Sequence, residues 1–245
     1  MRTGTVILAG GGGTPPEVPR LILQLAGGAN AKVVVLAHTQ EEIERGGRRS
    51  AEFIQENGGQ NVRAPIITDP DALADLLSDA RAVWIPGGDQ NRLMARLGGS
   101  ERFLRAIRGV HERGGVVGGT SAGASLMGSL MPTGEQSPDG DLKQGACKVA
   151  TGLGLLHNCI VDQHFLKRQR VQRLLCALLQ NPECVGIGVD EDAWAIVQGE
   201  TLTAHRAQVL IARVAGKVRQ SQGMLGTQDL RLQIVLPGET VRWRG

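Results

Sequence analysis

The sequence contains no tyrosine, and its three tryptophans and three phenylalanines leave aromatic residues at 2% of 245. No tyrosine is available as an acid or base, and no aromatic-rich surface offers itself for stacking nucleobases. Charge of one sign is also missing: 27 lysines and arginines face 24 aspartates and glutamates. Without a basic stripe, a nucleic-acid groove is not expected. Cysteine is sparse, with Cys147, Cys159, Cys176 and Cys184 forming no C-x-x-C pair and having no histidine at ligand spacing. That pattern predicts reduced thiols, no metal and a cytoplasmic protein. The opening MRTGTVILAGGGG has only a short apolar run before its glycines, too short for a secretory signal or a membrane span. A soluble protein without a membrane partner is expected.

Glycine, by contrast, is abundant, with 35 residues, about twice the usual share. Many tight turns follow. The length suits a single α/β domain over residues 1–245. The runs TVILAG (5–10), AKVVVLAH (31–38), AVWIPGG (82–88) and GVVGG (115–119) have the pattern of β-branched strands buried on both faces. Helical patterns lie between them at 17–27, 39–59 and 91–115, the last two interrupted by Gly-Gly. This alternation predicts a doubly wound sheet, parallel over at least its first half. Residues 185–214 alternate at period two around Gly-Glu turns, which suggests antiparallel strands at one sheet edge. Ligands in such folds gather beyond the carboxyl ends of the parallel strands.

One such end carries VVGGTSAGASLMG, residues 116–128. Gly119-Thr120-Ser121-Ala122-Gly123 matches G-x-S-x-G between a strand pattern and a predicted helix over AGASLMGSLM, the context of a nucleophile elbow. In that turn the Ala122 amide points toward a developing oxyanion. The motif alone is equally a tight turn of small residues in a glycine-rich chain.

A serine hydroxyl needs a base, and a histidine oriented by a carboxylate is the common solution. Of the five histidines, His164 lies in CIVDQHFLKRQRVQRLL (159–175), where an apolar run ends and a helical pattern begins. This strand-end position makes it the best candidate. VGIGVDEDAWAIV (185–197) puts Asp190, Glu191 and Asp192 between two apolar strands. They are three exposed turn acids, or one of them is paired. Glu191 shares the alternation phase of Val185, Ile187 and Val189, where an unpaired carboxylate is costly, which favours a paired role for it.

IPGGDQNRL (85–93), GGTSAGA (118–124), VDQHFLKRQRVQRLL (161–175) and GIGVDEDAW (186–194) together resemble the cyanophycinase branch of the peptidase E family of serine hydrolases. The resemblance runs from about residue 5 to about residue 215. It implies an α/β three-layer sandwich of flavodoxin-like type, related to class I glutamine amidotransferases, and a homodimer without a cofactor. It implies a triad of Ser121, His164 and Glu191. The chain order Ser, His, Glu differs from the Ser, Asp, His of α/β hydrolases and argues against that fold.

Members of that branch cut cyanophycin, a poly-aspartate carrying arginine through isopeptide bonds, to β-aspartyl-arginine dipeptides. Such a substrate asks for both charge signs in the site. The resemblance implies that Asp162, Gln163, Arg168, Arg170 and Arg173 contact it, the arginines through carboxylates and Asp162 through a guanidinium. Periodicity alone favours a solvated face for the arginines, opposite Val171, Leu174, Leu175, Leu178 and Leu179, and puts Arg168 in the turn before the helix. Gly88 would be the second oxyanion donor beside Ala122, and Asp89 and Gln90 would orient the site or touch substrate. Asp89 equally suits a helix N-cap. The run Gly10 to Gly13 has no G-K-[ST] after it, so nucleotide binding is not expected. Two segments depart from the family pattern: LAHTQEE (36–42), and Met131 to Gly145, which borders the pocket if the family layout holds. Two other functions stay open: hydrolysis of Asp-X or other β-aspartyl peptides, and a non-catalytic binding protein, whose mark would be a lost triad member.

Overall fold

The computed structural model describes residues 4–136 and 141–244. Its β-branched runs form two large sheets. The larger holds β1 (Thr5–Ala9), β2 (Val33–Val35), β3 (Val62–Arg63), β4 (Ala82–Ile85), β5 (Val116–Thr120), β10 (Trp194–Gln198), β11 (Thr201–His205) and β16 (Thr240–Arg242). Their spatial order is β16-β11-β10-β1-β5-β4-β2-β3. The first five strands are parallel, while β10, β11 and β16 add an antiparallel edge. All residues of β1 and β4 are buried, as strands covered on both faces must be. This is the predicted α/β architecture with a parallel-rich sheet.

The second sheet was not expected. It contains β6 (Gly128–Gln136), β7 (Cys147–Thr151), β8 (Leu156–Gln163), β9 (Val185–Val189), β12 (Val209–Val214) and β15 (Leu230–Val235), in the order β15-β12-β9-β8-β6-β7. Strands β6, β8 and β9 are parallel. A small hairpin pairs β13 (Arg219–Ser221) with β14 (Met224–Gly226). The alternating stretch 185–214 is thus divided: β10 and β11 edge the larger sheet, whereas β9 and β12 belong to the second. The helix expected over AGASLMGSLM ends after one turn, and the chain becomes β6. Gly128 permits this, because a Cβ there would lie 2.4 Å from the Cys159 carbonyl oxygen. Residues 131–136 of the unmatched segment lie in β6 and 137–140 lie outside the described residues.

The α-helices among the described residues are α1 (Glu17–Ala26), α2 (Ile43–Glu56), α3 (Pro70–Leu77), α4 (Gln90–Leu97), α5 (Glu101–Glu112), α6 (Ala122–Ser125) and α7 (Val171–Gln180). In α5 the Ser100 hydroxyl accepts from the Phe103 amide, and Phe103, Leu104, Ile107 and Val110 form the buried stripe, the spacing of an amphipathic helix with an N-cap. The Gly98-Gly99 pair separates α4 from α5, as predicted. Gly46-Gly47 does not break α2. A Cβ on Gly47 would lie 3.2 Å from that of Ala64, so this glycine sets close packing instead.

Helices α1 and α2 cover one face of the larger sheet, over Ile7, Val35, Trp84 and Val116. The opposite face, with Val6, Leu8, Val83 and Ile85, packs against α3 to α5 and against Val161, Ile187 and Val209 of the second sheet. Helix α7 closes the far side, where Gly186 and Gly188 leave room for Leu178 and Phe165. It is tied to β8 by a buried ion pair: Arg173 Nε donates to Asp162 Oδ2 at 2.9 Å and a second guanidinium nitrogen donates to Oδ1. The four cysteines are free and buried, and burial pushes the Cys147 thiol up to about 12 and Cys184 to about 11. No helix among the described residues is long and apolar enough to cross a membrane.

Removing one member of a buried ion pair leaves the other charge unsolvated. Asp162→Asn is expected to cost about 3–5 kcal/mol of unfolding free energy, measured by urea denaturation, and the double substitution Asp162→Leu with Arg173→Met to recover most of that loss.

Candidate active site

Strand β5 stops at Thr120, and Ser121 turns the chain with φ 53° and ψ −116°, a region that costs energy for any residue with a Cβ. Neighbouring glycines make the turn sterically possible. A Cβ on Gly119 would lie 2.5 Å from the Gly123 carbonyl carbon, and one on Gly123 would lie 2.0 Å from the Ile85 oxygen. The Ser121 amide donates to Ala9 O at 2.9 Å, and its carbonyl accepts from Ala124 and Ser125. Held on both sides, the strained residue has no easy way to relax.

His164 follows β8 directly and also takes a positive φ, 47°. Its amide donates to Gly10 O at 2.8 Å, a bond that links the second sheet to the end of β1. The turn after it is tied by Arg168 N to His164 O, by Arg170 N to Phe165 O, and by Lys167 N to Asp190 Oδ1 at 3.0 Å. The imidazole thereby stands between Ser121 and Glu191. Ser121 Oγ is 2.9 Å from His164 Nε2, and His164 Nδ1 is 2.6 Å from Glu191 Oε1.

An ionised carboxylate only accepts, so Nδ1 donates to Glu191 and Nε2 is left to accept from the serine hydroxyl. Burial lowers the His164 pKa below the ordinary histidine value; the bond to Glu191 raises it in part, and nearby Arg168 lowers it again. The ring is neutral at neutral pH. A hydroxyl, a neutral imidazole and a carboxylate in this arrangement can draw the proton from the serine as it attacks an acyl carbon.

Gly10 to Gly12 make that arrangement sterically possible, a role not expected from the sequence. A Cβ on Gly11 would lie 2.3 Å from His164 Cε1, and one on Gly12 3.2 Å from Glu191 Cβ. The Asp192 amide donates to Gly11 O at 3.1 Å. The available signal was a glycine run directly after a buried strand. The loop also corrects the reason given for Glu191. Strand β9 ends at Val189, so strand alternation does not aim this side chain.

Beside the serine passes the turn Pro86-Gly87-Gly88, where a Cβ on Gly87 would lie 3.4 Å from Ser121 Cβ. Gly88 has φ +142°, and a Cβ there would lie 2.5 Å from Thr39 O. The amides of Gly88 and Ala122 donate to no group among the described residues. Asp89 caps α4, accepting from the Asn91 amide at 2.8 Å. Gln90 is buried and donates to Pro132 O at 2.6 Å, which fastens α4 to β6.

Two expectations are corrected. Asp162 and Arg173 were expected to contact substrate, but Asp162 is wholly buried, Arg173 is 4% exposed, and each is committed to the other. The Gln163 amide also donates to Asp162 Oδ1 at 2.8 Å. The strand puts Asp162 on the face under α7, one residue out of phase with Gln163. Gln163 instead faces the serine, with Oε1 3.3 Å from Ser121 Oγ. Arg170 donates to Gln163 O at 2.7 Å and is half-buried; burial and the adjacent Arg173 lower it to about 10, which leaves it charged at neutral pH. Arg168 is exposed in the turn before α7, where the periodicity put it. Among the described residues no three His, Cys, Asp or Glu side chains group as a metal site.

The peptidase family S51 model matches residues 7–205 of this chain. The chain is 32% identical over 237 residues to a cyanophycinase of Geminocystis herdmanii (strain PCC 6308), covering 91% of this chain and 86% of that protein. It is 31% identical over 204 residues to a cyanophycinase of Synechococcus elongatus, covering 80% of this chain but 63% of the relative. A crystal structure of a peptidase from an acI-B1 actinobacterium superposes with a TM-score of 0.73 over 98% of this chain and 97% of that one; at 20% identity the likeness shows the fold alone. With the family match extending over most of its length, from β1 to the end of β11, the chain belongs to peptidase family S51 and is a serine peptidase.

Proposed function

We propose that the protein hydrolyses cyanophycin to β-aspartyl-arginine dipeptides through an acyl-enzyme on Ser121. The observation that carries this reading is the relay from Ser121 Oγ to His164 Nε2 and from His164 Nδ1 to Glu191 Oε1, at 2.9 and 2.6 Å. Ser121 Oγ attacks an aspartyl main-chain carbonyl while His164 Nε2 takes its proton. The new oxyanion accepts from the Gly88 and Ala122 amides. Collapse breaks the C–N bond, and His164 gives its proton to the leaving amine. A water molecule, deprotonated by the same nitrogen, then attacks the ester and restores the serine. Glu191 accepts from Nδ1 and holds the imidazole through both halves.

The substrate class is supported by the two cyanophycinase relatives and by the cations at the β8 side of the serine. Each arginine of the polymer carries a free carboxylate. Arg168 and Arg170 suit that group, which a guanidinium binds through two parallel hydrogen bonds. Asp162 and Arg173 contribute indirectly, by fixing the strand end that bears Gln163 and His164.

Ser121→Ala is expected to lower kcat on the order of a millionfold and Glu191→Gln about ten-thousandfold, both with the fold intact by circular dichroism. Incubation with purified cyanophycin and mass spectrometry of the products tests the substrate; release of β-aspartyl-arginine supports it, and turnover of short β-aspartyl peptides alone overturns it. Gly11→Ala pushes a methyl group into the imidazole and should lower kcat about a hundredfold or more, with a smaller change in KM. For pH, catalysis needs His164 neutral, so kcat/KM falls as pH drops through its folded pKa, which lies below the ordinary value. Arg168 helps to lower that pKa, so Arg168→Gln should move the acid limb to higher pH in low-salt buffer. An unmoved limb would remove Arg168 from the electrostatics of the base.

A further inference from the structure

On the α1 and α2 side of the larger sheet a cavity of about 420 Å³ opens beside the serine turn. Its inner end is formed by Gly12, which lies against Glu191, and by Thr120, the residue before Ser121. Side chains alternate along a strand, so Thr120 faces the same side as Val116, under α1 and α2. The Gln163 and Arg170 wall comes from the second sheet, across the edge of the first. Two walls of different chemistry therefore meet at one hydroxyl.

Phe53 and Trp84 give this cavity an apolar side, while Thr14, Arg49 and Ser50 give it a polar one. Arg49 is the one charged side chain among its lining residues, and no carboxylate lines it. Arg49 sits on the exposed side of α2 and forms no hydrogen bond or ion pair with any described residue. Its i+3 neighbour Glu52 does not pair with it, although Arg45 in the first turn of α2 pairs with Glu42 just before the helix. The hydroxyls of Thr14, Ser50 and Thr120 likewise have no hydrogen-bond partner among the described residues. Unused donors thus converge on an apolar-walled space next to the nucleophile, the usual composition of a ligand site.

We propose that this cavity is a second substrate subsite, and that Arg49 makes it select a residue with an aliphatic stem and a terminal carboxylate. The stem lies on Phe53 and Trp84, and the carboxylate takes the guanidinium fork of Arg49. A substrate guanidinium is disfavoured there by like charge. The proposal rests on Ser121 being the nucleophile and assigns Arg49 to substrate selection on the side of the scissile bond away from Arg170.

The test uses the full chain with β-aspartyl-arginine oligomers in two forms, in which the side chain meant for this cavity is glutamate in one and glutamine in the other. Wild type should favour the acid form, mainly through KM, by about tenfold at low salt, less as salt screens the exposed guanidinium. Arg49→Glu should reverse the preference, and Arg49→Lys should keep part of it. Labelling of Ser121 by a small serine-reactive phosphonate, which does not reach the cavity, should proceed alike in all three. An acid-to-amide ratio unchanged in Arg49→Glu overturns the subsite while leaving the peptidase reading in place. Failure of wild type to cleave either oligomer overturns the substrate reading, and the subsite with it.

Discussion

The backbone of Gly10 and Gly11 runs so close to Asp190 and His164 that a Cβ at either glycine would clash, and the site hangs on that approach. One carbonyl of this loop receives the His164 amide, and the next receives Asp192. The residue that bears the imidazole and the turn that carries Glu191 are therefore both referenced to the same loop. Because β1 also pairs with β5, the strand that ends at the serine turn, a single loop sets the distance between Ser121 and His164. Precision comes from backbone hydrogen bonds, which have little freedom to drift, rather than from long side chains.

Strain is the counterpart of that precision. Ser121 and His164 both sit at positive φ without being glycine, an arrangement that persists only when its surroundings over-determine it. For Ser121 the surroundings are the Ala9 carbonyl on one side and the α6 turn on the other. For His164 they are Gly10 O and the knitted turn 164–170. Arg173 and Asp162 belong to the same support: they clamp α7 to the last residues of β8, so the histidine stands on a strand end that cannot slide.

Much of this was legible beforehand. Buried β-branched runs announce a parallel sheet, G-x-S-x-G after a strand announces a tight strand-to-helix turn, and an apolar run ending at Asp-Gln-His marks a strand end with a histidine on it. The second sheet was not legible, because β9 and β10 share one alternating pattern and nothing in a period of two says which sheet a strand joins. Asp162 and Arg173 were misread for a similar reason. Opposite charges eleven positions apart look like two separate ligand contacts until a helix folds back over a strand and joins them. The glycine loop was left without a role once nucleotide binding was excluded, since a glycine run records only that something passes close, not what passes.

The relay draws its members from two different sheets: the hydroxyl from the end of β5, the imidazole and the carboxylate from the ends of β8 and β9. The ends of β8 and β9 adjoin within the second sheet, whereas the end of β5 belongs to the larger one. The hydroxyl therefore comes within hydrogen-bond reach of the imidazole only where the two sheets meet. The relay is thus a coincidence of two assembled sheets, a property written into the strand order itself.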